Sequence, residues 1–330
     1  MPTFYLSEDN DTFQGTHSND SIHAYHGNNI VWAHGGNDRV YGGNDLDWLF
    51  GGSGDDRLYG RLGDDWLAGD SGNDYIDGGG GNDRMEGGTG DDFYLVHDKN
   101  DLVLENAGEG TDKVQVYLNR DFVSYSLADN VENLRALGGF DRWHFNAFGN
   151  DLDNHIQLIS RSTNQVLFTA RGKDGDDTIV GSRISDWIYG GDDNDTLLGN
   201  VGDDKLYGED GDDILRGGVG NDLLVGYNIW YESTDDIDIL EGGPGSDIFE
   251  LARAHNNIIP YAQGTGYAII QDFNENEDII SLGSKSGFSL REGNFDDDRS
   301  RDDTAIYYGS SKVGVIVDTL GLSLNASYFV

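Results

Sequence analysis

The chain has 330 residues, 61 acidic and 21 basic, and its formal net charge is −40. This acidity excludes nucleic acid as an expected partner, because binding phosphates requires an excess of Lys and Arg, and it favours cations. The absence of cysteine excludes disulfides and thiolate metal sites. The sequence opens without a basic segment followed by an apolar stretch, and no window is long enough for a membrane span, so we expect neither a cleaved signal peptide nor a transmembrane segment.

A nine-residue repeat occupies the N-terminal part of the chain, from Leu6 to Leu95. Lines such as GGSGDDRLY at 51 and GGTGDDFYL at 87 carry glycine at positions one and four, aspartate at position six and an apolar residue at position eight. Looser lines keep part of the pattern, with Asn29 at position six of one and Asp45 at position four of another. A fixed period of this kind predicts a solenoid of stacked coils.

Residues 96–171 lose the repeat but keep strand character. Apolar and polar residues alternate there and are interrupted by turn signals such as NAGEG and LADN. We predict a β-segment that continues or abuts the first run.

A second run of the same repeat covers residues 172–250. Lines such as GNVGDDKLY at 199 match the first run, and a seven-residue insertion at 226–232 predicts a tolerated bulge or, less readily, a binding loop. In the two runs, position six supplies these aspartates: Asp11, Asp20, Asp38, Asp47, Asp56, Asp65, Asp74, Asp83, Asp92, Asp177, Asp186, Asp195, Asp204, Asp213, Asp222, Asp238 and Asp247.

The last segment, residues 251–330, predicts a few conventional strands that cap the second run. We interpret the acidic stretch around Asp297 as a solvated loop. The predicted division is therefore 1–95, 96–171, 172–250 and 251–330, in an all-β fold.

The phase of the repeat predicts the geometry of each coil. Positions seven to nine form a short strand whose middle side chain points inward, and glycines allow the turn in positions one to six. Two lines make one coil, so each position-six aspartate stacks about 4.8 Å from the aspartate two lines away. Carboxylates this close repel by about 1 kcal/mol in water and by more where water is excluded. A cation is expected between them.

Calcium suits such a site best. It accepts six to eight oxygen ligands in irregular geometry, whereas magnesium demands stricter geometry and zinc prefers His or Cys. The predicted ligands are all the position-six aspartates except Asp11, with backbone carbonyls of the turns. Those carbonyls belong to residues such as Gly51, Ser53, Gly60, Gly69, Gly78, Gly87, Gly190, Gly199, Gly208 and Gly217. The number of slots between lines predicts roughly ten ions, which would offset about half of the net charge.

The pattern resembles the nonapeptide GGxGxDxUx of the RTX (repeats-in-toxin) calcium-binding proteins, which GGSGDDRLY and GGTGDDFYL match at every defined position. The resemblance implies two parallel β-rolls that bind calcium between lines n and n+2 and fold outside the cell. Departures occur at Asn29, Asp45 and Ile184. The tail, through YAIIQDFNENEDIISL and GLSLNASYFV, is similar to RTX C-terminal regions, which implies an uncleaved type I secretion signal. That role is compatible with a simple cap.

Outward-facing aromatic side chains suggest a second activity. Positions seven and nine place Ile30, Trp32, Trp48, Phe50 and Trp66 on one face of the first roll, and Tyr41, Tyr59 and Tyr75 on the other. The Trp32, Trp48, Phe50 and Trp66 strip could stack on sugar rings of a polysaccharide or dock a partner. Alternatively, segment 96–171 or the second roll covers it, which is the interpretation we favour.

Three histidines near the N-terminus, His17, His26 and His34, lie close in register. They could form a transition-metal site, but solvated turn histidines are the simpler interpretation.

Signatures of catalysis are missing from the sequence. It contains no GxSxG, HExxH or GxxxxGK motif, so we expect an extracellular structural or binding protein rather than an enzyme. A polysaccharide-acting enzyme is the remaining alternative, and Arg142, His144 and His155 are the only cluster to inspect. An ice-binding surface would need regular TxT ladders, which are absent.

Overall fold

The computed structural model describes residues 1–117, 123–138, 144–160, 167–227, 235–252, 266–283, 286–295 and 303–330. Within these ranges the regular elements are all β-strands, which confirms the predicted all-β class. The described residues include no helix with the length and apolar character needed to cross a membrane. Predictions for Arg142, for the insertion beyond Tyr227 and for the loop around Asp297 lie outside the described residues.

The strands before residue 139 are β1 (Thr3–Tyr5), β2 (Thr12–Gln14), β3 (Ser21–Tyr25), β4 (Ile30–Gly35), β5 (Arg39–Gly43), β6 (Trp48–Ser53), β7 (Arg57–Leu62), β8 (Trp66–Ser71), β9 (Tyr75–Gly80), β10 (Arg84–Thr89), β11 (Phe93–Val96), β12 (Leu102–Leu104), β13 (Lys113–Tyr117), β14 (Ser124–Ser126) and β15 (Asn133–Gly138). The strands after residue 143 are β16 (His144–Phe148), β17 (His155–Ser160), β18 (Leu167–Lys173), β19 (Thr178–Val180), β20 (Trp187–Asp192), β21 (Thr196–Val201), β22 (Lys205–Asp210), β23 (Ile214–Val219), β24 (Leu223–Tyr227), β25 (Ile237–Glu241), β26 (Ile248–Glu250), β27 (Tyr267–Ile270), β28 (Ile279–Ser281), β29 (Phe288–Gly293), β30 (Asp303–Tyr308) and β31 (Ser311–Ile316).

The chain forms two compact units, residues 1–139 with 148–150, and residues 140–147 with 151–330. In the first unit, the eight odd-numbered strands form one parallel sheet in the order β1-β3-β5-β7-β9-β11-β13-β15. The even strands β2 to β12 build a second parallel sheet. Partners in the repeat are two lines apart, since Arg39 pairs with Arg57 and Arg57 with Tyr75. Two lines therefore form one coil, as predicted.

The second unit repeats this parallel architecture. Strands β17 to β27 alternate with β18 to β28 in two sheets, and each strand pairs in parallel with the strand two places later. The end differs, because β31 pairs in parallel with β27 while β29, β30 and β31 are antiparallel neighbours.

Position-eight side chains fill the space between the two sheets, as predicted. In the first run, the following residues have no exposed surface: Val31, Val40, Leu49, Leu58, Leu67, Ile76, Met85 and Tyr94. Burial of apolar surface contributes roughly 25 cal/mol per Å² to the free energy of folding. A single coil could not bury these side chains without its neighbours, so the stabilisation depends on stacking.

The strands are longer than the three residues predicted from positions seven to nine. Strand β7 continues through Gly60 into the next line and ends at Leu62. Its pairing skips position one, because Tyr59 pairs with Asp77 and Arg61 with Gly79 while Gly60 has no partner in the register. The backbone thus stays extended through the start of the turn but leaves the ladder at position one.

The stacking extends beyond the end of the repeat at Leu95. Strand β12 pairs with β10 through Arg84 and Leu102, and β13 pairs with β11 through Phe93 and Lys113. Strands β12 and β13 therefore add further rungs to the two sheets of the first unit.

Candidate metal centre

The position-six aspartates form hydrogen-bonded ladders along both runs. The Oδ1 atom of Asp56 accepts a hydrogen bond from the backbone N–H of Asp38 at 2.6 Å, and that of Asp74 accepts one from Asp56 at 2.7 Å. In the second run, Asp204 Oδ1 accepts from Asp186 N–H at 2.7 Å. All sixteen aspartates predicted as ligands are at most 2% exposed. Except at Asp20 and Asp186, one oxygen of each carboxylate thus accepts a hydrogen bond from the coil before it.

The other carboxylate oxygen is usually buried without a hydrogen-bond partner. This holds for Oδ2 of Asp38, Asp47, Asp56, Asp65, Asp74, Asp83, Asp92, Asp177, Asp195, Asp204, Asp213, Asp222 and Asp247, and for Oδ1 of Asp186. A buried carboxylate oxygen left without a partner is costly, and native structures keep few of them. Fourteen at one position of a repeat point to a cation as their common partner.

In the regular lines, a backbone carbonyl from a later coil lies beside the unpaired oxygen. A Cβ added to Gly42 would lie 2.6 Å from Asp47 Oδ2 and 2.6 Å from the carbonyl oxygen of Gly60. Position one is therefore glycine because the carboxylate and the carbonyl converge there. The carbonyls that recur in this place are those of Gly60, Gly69, Gly78, Gly87, Gly190, Gly199, Gly208, Gly217 and Gly226.

One predicted carbonyl ligand already has a hydrogen-bond partner. The Ser53 carbonyl accepts a hydrogen bond from Gly36 N–H at 2.8 Å. Ser53 stays a predicted ligand.

Two of the predicted aspartate ligands are capped by their own turns. Asp20 Oδ2 accepts hydrogen bonds from Thr16 N–H at 2.6 Å and Thr16 Oγ1 at 2.9 Å. Asp186 Oδ2 accepts from Ser182 N–H at 2.6 Å. Thr16 and Ser182 stand at position two of their lines and already donate hydrogen bonds to these carboxylates. Asp20 and Asp186 therefore have less capacity for a cation than the aspartates of regular lines.

Asn29 shows what replaces a cation in a degenerate line. Its Nδ2 donates to the carbonyls of Gly27 at 2.8 Å and His26 at 3.2 Å, and to Asp47 Oδ1 at 2.9 Å. At position six an aspartate would instead direct an oxygen at these carbonyls. An oxygen facing carbonyls needs a positive partner, which a hard cation such as calcium provides.

Burial makes these carboxyl groups unusually reluctant to ionise. Desolvation raises the pKa of Asp65 to about 8, against a hydrogen bond from Asp47 N–H that lowers it, and the charges of Asp83 and Asp47 raise it further. The same cause raises the pKa of Asp56 to about 7 and of Asp204 to about 8. A cation that binds here must displace protons from these carboxyl groups or offset the repulsion between their stacked negative charges.

We expect calcium affinity to fall as the pH falls from 8 to 6, by about tenfold per site, because protons compete for the same oxygens. In the absence of metal the sign reverses: the folded pKa values exceed the ordinary 3.8, so the metal-free fold loses stability as pH rises from about 4 towards 8. Calcium titrations at the two pH values, with proton release measured in weak buffer, check this. Equal affinities and no released protons would contradict it.

The predicted aromatic strip is assembled on strands β4, β6 and β8. Trp32 and Phe50 stack with ring centroids 5.7 Å apart, and Trp48 and Trp66 meet edge to face at 5.8 Å. Trp48 is 41% exposed and the other three rings are half-buried. The Arg84 guanidinium lies 5.1 Å from the Trp66 ring.

Other predicted groups are only partly assembled. The His17 and His34 rings lie 5.6 Å apart, whereas His26 contacts Asn44 and His34 contacts Gln14. No described His, Asp or Glu joins them in a cluster of metal-ligand geometry.

Only two members of the candidate catalytic cluster, His144 and His155, lie within the described residues. His144 and His155 are exposed, and His144 Nε2 lies 2.9 Å from Thr169 Oγ1. Arg142 lies outside the described residues.

The aspartate ladders continue outside the two runs, which the repeat did not predict. Asp83 N–H donates to Asp101 at 3.1 Å, Asp92 N–H to Asp112 at 2.8 Å, and Asp247 N–H to Asp278 at 2.9 Å. The line VHDKNDLVL at 96 keeps Asp101 at position six and an apolar residue at position eight, so the signal was present. Asp112 and Asp278 follow insertions that break the count of nine.

Comparison with known proteins agrees with this geometry. Curated protein sequences gave no match. Among solved structures, the extracellular lipase LipA from Serratia marcescens is 18% identical, with a TM-score of 0.22, and the alignment covers 92% of this chain and 44% of the lipase. The chain thus spans less than half of that protein.

The family model of the RTX calcium-binding nonapeptide repeat matches residues 5–40, 32–67, 41–75, 59–94, 171–206, 189–224 and 232–255, which together are just over half of the chain. Because the family model matches more than half of the chain, and its repeats coincide with the ladders of buried aspartates, the chain belongs to the RTX calcium-binding repeat family.

Proposed function

We propose that this chain is a secreted calcium-binding protein whose folding is completed outside the cell, where it acts as a structural or binding protein. The observation that carries the proposal is the repeated buried carboxylate oxygen without a partner, beside a glycine carbonyl two lines later. In low calcium, stacked carboxylates oppose compaction. Calcium, when bound, supplies the positive charge that the coils lack.

The ligands would be the position-six aspartates with the position-one carbonyls. In regular lines such as that of Asp74, Oδ1 holds the preceding coil and Oδ2 is left for the ion, so the side chain serves both the fold and the site. We propose about ten ions in the chain, with Asp20 the weakest of the predicted ligands because Thr16 already caps it. No catalytic activity is part of this proposal, and turnover of a polysaccharide by the purified chain would contradict that part.

Secretion is the second part of the proposal, with residues 251–330 as the signal read by a type I machinery. We expect the full chain to reach the medium of cells that express such a machinery, and a chain ending at residue 250 to stay inside. Immunoblots of cells and medium, with and without the machinery, measure this. Export that does not depend on the tail would contradict the role assigned to it.

Polysaccharide binding by the aromatic strip is a second candidate function. The favouring observation is that Trp48 stays exposed while Trp32, Phe50 and Trp66 pack beside it on one sheet, so the rings form a continuous surface. Aromatic faces of this kind suit the apolar faces of sugar rings.

A triple Trp32→Ala, Trp48→Ala, Trp66→Ala variant is expected to lose glycan binding by at least tenfold while folding in calcium as the parent does. Its matched control is Tyr41→Ala, Tyr59→Ala, Tyr75→Ala, which removes a similar stack from the other sheet. A glycan array in calcium compares the three proteins. Equal binding by the tryptophan variant and the parent would eliminate this candidate.

A further inference from the structure

Three carboxylates gather where the first repeat run ends, and two of them lie outside the repeat. Asp92 is the position-six residue of the last line, and Glu105 and Asp112 belong to the segment that follows. One oxygen from each of the three lies within 4.8 Å of the others. Among the described residues, none of the three forms an ion pair with a basic side chain.

Glu105 occupies the register of a position-one glycine. Pairing of Glu86 with Leu104 places Glu105 two lines after Gly87, where the repeat would supply a backbone carbonyl. A Cβ at Gly87 would contact Asp92 Oδ2, the Tyr94 hydroxyl and Glu105 Oε1. A side-chain carboxylate therefore reaches the point at which a glycine carbonyl lies in the regular coils.

Two oxygens in this cluster are buried without hydrogen-bond partners, Asp92 Oδ2 and Glu105 Oε2. Asp92 is 1% exposed, so solvent does not supply the missing partner. Three other oxygens of the cluster accept hydrogen bonds: Asp92 Oδ1 from Asp74 N–H at 2.7 Å, Glu105 Oε1 from the Tyr94 hydroxyl, and Asp112 Oδ1 from Asp92 N–H at 2.8 Å. The protein thus orients two unpaired oxygens inside a group of three acids.

We propose that Asp92, Glu105 and Asp112 form a divalent-cation site of a kind distinct from the repeat sites, with three side-chain carboxylates in place of one carboxylate and carbonyls. This inference rests on the proposed calcium-binding function and adds to it. The higher ligand charge favours tighter binding of calcium. Because Glu105 follows β12 directly and Asp112 precedes β13, an ion here ties the first rungs outside the repeat to its last coil.

Native mass spectrometry in saturating calcium counts the bound ions as whole numbers. We expect Glu105→Gln to carry one calcium fewer than the parent; the amide keeps an oxygen that can accept from Tyr94 and loses only the charge. Asp112→Asn is expected to lose one ion as well. The double variant should also lose one, because both residues serve the same ion.

The matched control is Glu109→Gln, in the same loop, whose Oε2 accepts a hydrogen bond from Asn106 at 2.8 Å and is not part of the cluster. It should keep the full number of ions. If Glu105→Gln and Asp112→Asn both keep the parent's number, or if the double variant loses two ions, the shared site is wrong. If the parent itself binds no calcium, the proposed function fails instead. Should Glu105→Gln not fold, Asp112→Asn alone decides.

Discussion

Removal of calcium is expected to convert the repeat runs from ordered coils to an expanded chain. Each coil places buried aspartates next to the aspartates of its neighbours, and the apolar filling of the first run consists mainly of the position-eight side chains between the two sheets. Hydrophobic burial on this scale does not offset stacked charge in a chain of net charge −40. An unfolded chain of this length has a radius of gyration of about 65 Å.

Small-angle scattering and circular dichroism in chelator and in millimolar calcium measure this transition. We expect a radius near the unfolded value and little β-structure in chelator, and compaction with gain of β-structure in calcium. Magnesium at the same concentration serves as the control and should be much less effective, because it demands near-octahedral geometry and dehydrates reluctantly. Equal compactness with and without calcium would contradict the expectation.

Substitution of one buried aspartate should have a far larger effect than substitution of its exposed neighbour. Asp65→Asn keeps an oxygen for the hydrogen bond from Asp47 N–H but removes the charge of the unpaired Oδ2. We expect the free energy of unfolding in calcium to fall by about 2–3 kcal/mol, the range for a lost charged interaction, with at least one ion fewer bound.

Asp64→Asn is the matched control, since Asp64 is exposed and its Oδ1 accepts from Asn82 N–H at 2.8 Å, a role the amide retains. Its effect should stay within about 0.5 kcal/mol. Denaturant unfolding in calcium gives both values. Equal destabilisation by the two variants would show that the buried register position has no special role.

The period and its phase were sufficient to predict the coil. Side chains at position eight, such as Leu58, are buried, and position-six aspartates, such as Asp56, stack with the spacing of two lines. Both follow from counting nine residues, because a solenoid converts a sequence period directly into a spatial one. The length of the strands does not follow, since it depends on where the backbone leaves the ladder at position one.

Differences between individual lines were beyond prediction from the repeat. Thr16 and Ser182 cap the carboxylates of their own lines, and this depends on the direction of a single backbone N–H. Asp112 was missed because two extra residues separate it from the register of nine, although stacking continues. Glu105 was missed because it stands at position one, where the repeat predicts glycine. Short insertions hide a spatial repeat that the sheets preserve.

Anomalous diffraction from crystals grown in calcium tests most directly whether the unpaired oxygens hold the ion. We expect a calcium peak about 2.3–2.6 Å from the Oδ2 atom of aspartates such as Asp56 and Asp204, with a glycine carbonyl of a later coil as a further ligand. Ordered coils in saturating calcium with no peak beside these oxygens would contradict the assignment.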